Sequence, residues 1–171
     1  MPLSRVSFIA FCFVANGCYA QGSGPIVKVY AYEQNVLPGA PGGRGGPPIA
    51  SAQLAGKRFS IYLETKNPNI AVDGVWMNGQ YHEVRTEQKK APVVLSGPVA
   101  LEPNEKNTLV PSTTNPVIEV IVKDKVPGKS PTANVAEMLK SNAAVVQLTE
   151  NGKPVVVPVA AFQAKDSVYL Q

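Results

Sequence analysis

His82 is the only histidine of the chain, and Glu83 follows it directly. A histidine beside a carboxylate is the base and orienter of a hydrolytic triad, which then needs a nucleophile. None is offered. Cys12 and Cys18 both fall within the first twenty residues, and no Gly-x-Ser-x-Gly occurs. Zinc needs several His or Cys ligands at fixed spacing, and one histidine cannot supply them. Glu102, Glu105, Asp124 and Asp166 are dispersed, so no loop gathers carboxylates for calcium. The glycine-rich stretch lacks the Gly-Lys-Ser/Thr of a phosphate loop. The expectation is a protein that is not an enzyme and has no cofactor or metal, with His82 a surface or boundary residue.

What remains is the chemistry of recognition. Asn78-Gly79 supplies the positive φ values of a type I′ hairpin turn. A two-residue loop then pairs Met77 with Gln80 and Trp76 with Tyr81, the second pair being the closer, non-hydrogen-bonded kind. One face carries Val72, Trp76, Tyr81, Glu83 and Arg85; the other carries Asp73, Val75, Met77, Gln80, His82 and Val84. With Val75, Met77 and Val84 inward, Trp76 and Tyr81 form an exposed aromatic platform beside Arg85. Flat aromatics flanked by polar groups dock sugar rings and protein partners. With Trp76 inward, it is a core tryptophan of a sandwich. The candidate binding surface is Trp76, Tyr81 and Arg85, with Tyr62 on the same sheet and Arg44 at the tip of a flexible loop.

The elements that must position these residues are strands. Residues 26–34 alternate as a strand, and residues 38–48 are then dominated by Gly and Pro, which exclude helix and sheet interior alike. Over residues 57–66, Phe59, Ile61, Leu63 and Thr65 alternate with polar neighbours, giving one buried face and one wet face. Residues 93–95, 108–110, 117–123 and 168–170 read as further short strands. Residues 130–141 are the only credible helix, with Pro131 at its first position and Val135, Met138 and Leu139 as an apolar stripe. A second turn, Asn151-Gly152, pairs Glu150 with Lys153, Thr149 with Pro154, Leu148 with Val155, Val146 with Val157 and Val145 with Pro158. Both prolines fall at non-hydrogen-bonded positions, so residues 153–159 are expected at a sheet edge. Leu148, Val146, Val155, Val157 and Val159 are expected on the buried face. The fold class expected is all-β: an immunoglobulin-like antiparallel β-sandwich with one short helix.

The start of the chain sets the compartment. Arg5, an apolar run over residues 6–14 and the small-x-small sequence Cys18-Tyr19-Ala20 read as a secretory signal over residues 1–20. Cleavage after Ala20 removes both cysteines, so export needs no oxidising compartment and a bacterial envelope fits best. Ala15-Asn16-Gly17-Cys18 is a poor lipobox, but lipidation at Cys18 would anchor the chain to a membrane. Arg5 leaves with the leader, so sixteen basic residues fall to fifteen against twelve acidic, scattered and without a block. That balance argues against nucleic acid. Residues 21–56 then hold the first strand and the Gly/Pro loop, and 57–171 the sandwich body, together a single domain. The expected function is an exported, periplasmic or surface protein that binds another envelope protein. The alternative is a carbohydrate-binding or adhesive module using Trp76 and Tyr81. Strand addition at an exposed edge is a third route to a partner.

Overall fold

The computed structural model describes residues 24–37, 56–95 and 107–169. The expected leader over residues 1–20, the Gly/Pro-rich residues 38–48 and Arg44 among them lie outside these residues. The described strands are β1 (Ile26–Leu37), β2 (Gly56–Thr65), β3 (Ala71–Met77), β4 (Gln80–Lys89), β5 (Val93–Val94), β6 (Thr108–Val110), β7 (Val117–Lys125), β8 (Ala144–Glu150), β9 (Lys153–Val159) and β10 (Gln163–Tyr169). One short helix, α1 (Ala133–Leu139), interrupts them. The protein is all-β with one short helix.

Eight strands form one continuous sheet in the order β10-β1-β2-β7-β4-β3-β8-β9, and β5 pairs with β6 separately. The strands assigned above to a two-sheet sandwich are thus linked through a single sheet, which curls until β1 approaches β9. Neighbours are antiparallel except β1 and β10, which run parallel from Tyr32↔Gln163 onward. The first strand is integral to the sheet and lies between β10 and β2.

Alternation decides what the curl encloses. Ile61 and Leu63 of β2, Val75 and Met77 of β3, Ile118 and Val120 of β7 and Val146 and Leu148 of β8 fill one buried cluster. The opposite face of β2 is not wet as its polar residues suggest: Ser60, Tyr62 and Glu64 are also buried. Leu109, Val110 and Val117 pack there against Tyr32 and Tyr62, with Val93 and Leu95 alongside.

Both hairpins have the register that counting from the turns gives. Asn78 and Asn151 have φ of 52° and 50°, and Trp76 pairs with Tyr81. Thr149 pairs with Pro154 and Val145 with Pro158, and β9 ends the sheet. Val146, Leu148 and Val159 are buried, whereas Val155 and Val157 are half-buried because nothing among the described residues closes the curl over them. Several boundaries differ from expectation by a few residues, and two of them have a clear physical reason. Thr132 caps α1, its side chain accepting from the Val135 amide, so Pro131 precedes the cap instead of opening the helix. β10 begins at Gln163, five residues before the expected strand, because its polar residues hide it and its partner is the remote β1.

Candidate functional site

The hairpin aromatics settle first. Val75 and Met77 do point into the main core, as the platform required. Trp76 and Tyr81 nevertheless are 3% and 5% exposed, so no aromatic platform forms. Helix α1 covers them: Val135 is buried against both, with Met138 and Leu139 beside it and Val145 beneath. The two rings meet edge to face at 5.2 Å between centroids. Each polar tip is satisfied, Trp76 Nε1 donating to Gln147 Oε1 at 3.0 Å and the Tyr81 hydroxyl to the Asp73 carbonyl at 2.6 Å. Lys129 places its ammonium 3.7 Å from the Tyr81 centroid and closes the remaining side. The platform reading fails because this stretch of sheet is apolar on both faces and the helix stripe claims the second one. Arg85 stays exposed and pairs with Glu87. His82 sits half-buried at the edge of this region, its Nδ1 3.1 Å from the Lys123 carbonyl oxygen.

Tyr62 belongs to a different place. It projects from β2 into a cleft of about 320 Å³ between β2, β7 and the end of β4, walled by Val93, Val94, Leu95 and Leu109. Its hydroxyl donates to Glu119 Oε1 at 3.0 Å, and Lys89 meets Glu119 Oε2 at 2.9 Å. Lys89 also reaches Glu87 at 2.8 Å. Burial pushes the Tyr62 phenol well above its ordinary range, and the Glu119 charge and hydrogen bond add to that; the Arg58 guanidinium acts in the opposite sense. The Lys89 ammonium is held above its ordinary value by hydrogen bonds to Glu87 and then Glu119, against the effect of burial.

Beside the cleft, Glu64 ties β2 to the approach to β7. It accepts from Thr113 Oγ1 at 2.6 Å, Asn115 Nδ2 at 2.7 Å and the Tyr30 hydroxyl at 3.1 Å. Burial works to raise its pKa, but these three donors together hold it below the ordinary carboxylate value.

A third feature is apolar. β10 pairs with β1 only from Tyr32 onward, so the first half of β1 faces β9 across a seam of about 470 Å³. Ile26, Val27 and Val29 line one side, Val155 and Val157 the other. Val27 is 39% exposed and is the only exposed large hydrophobic residue among the described ones. The half-buried Ile26, Val29, Val155 and Val157 all pack on the main core, so the core itself opens here.

The structure thus separates the residues singled out from the sequence. Trp76 and Tyr81 lie under α1, Arg85 stands exposed on β4, Tyr62 lies in the polar cleft, and Arg44 is outside the described residues. Sequence reasoning passed over Arg58, Lys89 and Glu119. Arg58 follows Lys57, Lys89 lies in the polar run Gln88-Lys89-Lys90 and Glu119 alternates with Ile118 and Val120, so each reads as an ordinary solvated position; only the pairing of β2 and β4 with β7 gathers them. No three His, Cys, Asp or Glu among the described residues are grouped to hold a metal, and no described helix is long and apolar enough to cross a membrane. No protein-family model matches the chain, and no curated protein or solved structure matches it.

Proposed function

We propose that the chain is a non-enzymatic exported protein of a bacterial envelope, an immunoglobulin-like module that binds another envelope protein through the seam between β1 and β9. The single observation behind this reading is the opening of the core at that seam. Val27 presents a large apolar side chain to solvent there, flanked by half-buried valines on both strands. An apolar surface left uncovered is a driving force for association. The immunoglobulin-like reading draws support from the largely antiparallel strands and from the curl, which sets β1 opposite β9 around a common core. The leader over residues 1–20 supports export, and Gln21 is the mature N-terminus unless Cys18 carries a lipid.

The test is capture from the native envelope with wild type and Val27→Asp compared at equal folded concentration. A partner retained by wild type and lost by the variant supports the reading. A partner retained equally by both overturns the seam as the contact. Mass measurement of the exported protein separates a chain beginning at Gln21 from one lipidated at Cys18, and an uncleaved cytoplasmic chain overturns export.

A further inference from the structure

The cleft around Tyr62 has a charge pattern that the seam lacks. Arg58, Lys89 and Lys90 line it together with one carboxylate, Glu119. Glu119 is already bonded at both oxygens, by Tyr62 and by Lys89. Arg58 and Lys90 are exposed, and neither side chain has a partner among the described residues. The recess is therefore cationic in excess, with its two spare cations on different elements.

Register places those cations at opposite ends. Tyr62 pairs with Glu119 across β2 and β7, and Ser60 pairs with Ile121. Arg58 stands two residues beyond Ser60 and opposite Gln34, at one end. Lys90 follows Lys89, whose partner is Val117, at the other. Glu119 lies between. A ligand is therefore favoured with negative charge at each end and disfavoured with negative charge at its middle. A carboxylate offers about four acceptor sites, and Glu119 uses two, so it welcomes hydroxyl donors at that midpoint. The wall of Val93, Leu95 and Leu109 supplies apolar contact for C–H faces. The volume of about 320 Å³ lies at the small end of the roughly 300–1,000 Å³ common for small-molecule sites.

We infer that this cleft binds a short acidic glycan, with uronate-type carboxylates at Arg58 and Lys90 and ring hydroxyls over Glu119. A compact inorganic anion cannot reach both cations without lying against Glu119. A peptide would bring amide carbonyls as well as N–H groups to an acceptor floor. The inference is independent of the seam and of any protein partner.

The test is calorimetric titration of the full chain at low ionic strength with digalacturonic acid, the neutral disaccharide lactose, inorganic phosphate and the peptide Glu-Gly-Glu. Digalacturonic acid is expected to bind, and lactose and phosphate to bind at least about tenfold more weakly. Arg58→Gln and Lys90→Gln should each weaken the acidic disaccharide by about tenfold, the loss of one charged contact. Both side chains are exposed, so an unchanged melting temperature verifies that each variant is folded. Added salt should weaken binding in wild type more than in either variant. No binding of the disaccharide, equal binding of lactose, tighter binding of the peptide, or indifference to both substitutions overturns the inference.

Discussion

Tyr81 lays its ring across the bare Cα of Gly74 while its hydroxyl holds the carbonyl of the preceding residue, Asp73, at 2.6 Å. A Cβ built on Gly74 would overlap the ring at its hydroxyl end. The glycine is thus a packing requirement, since Val75 beside it and Val72 two residues before it show that the strand itself tolerates bulk. Gly74→Ala is expected to destabilise the protein by about 1–3 kcal/mol through overpacking. Urea unfolding checks this, and Tyr81→Leu in the Gly74→Ala background should recover part of the loss by vacating the space.

Trp76, buried beneath α1, should emit at short wavelength and resist iodide quenching. Trp76→Ala should cost about 3–5 kcal/mol, the usual range for emptying a large aromatic site. A red-shifted, readily quenched tryptophan in the folded protein would contradict the helix cover.

Glu64 makes stability depend on acid. Its folded pKa lies below its ordinary value near 4.5, so the charged form is the one the fold prefers. Its contribution is fully present above the unfolded pKa and is lost as pH falls from about 4.5 through the folded pKa. Melting temperature should therefore drop over that interval in wild type. Glu64→Gln should be less stable at neutral pH and show a shallower acid limb.

Pro154 and Pro158 remove two outward N–H groups from the free edge of β9. The double change Pro154→Thr, Pro158→Thr restores them with residues suited to strands. Monomer stability should change little, while self-association at high concentration should rise, read by light scattering. Unchanged scattering would mean that the prolines do not guard this edge.

Turn chemistry was the most legible part of the chain. Asn-Gly demands positive φ, a two-residue loop fixes register, and the register alone carried the proline argument to the sheet edge. The orientation of Trp76 was less legible, because Val75 and Met77 and their alternates are all apolar or aromatic. Deciding between the faces needed the position of α1, some fifty residues further on. β10 was only partly visible, since Lys165 and Asp166 give no alternating pattern and its partner strand is remote. The polar cleft was invisible for a related reason. Arg58, Lys89 and Glu119 sit on three strands, and nothing local to any one of them reports the other two.

The parallel pairing of Tyr32 with Gln163 also bears on when the sheet can be completed. β1 is synthesised early, yet its second neighbour emerges only after all the intervening strands have been made. Joining segments so far apart in sequence is slow, because the intervening chain must first be gathered in. In that interval β1 has a bare flank and the chain is still pliable. For the export proposed above, the order of the strands would supply the delay that passage through a membrane as an unfolded thread requires.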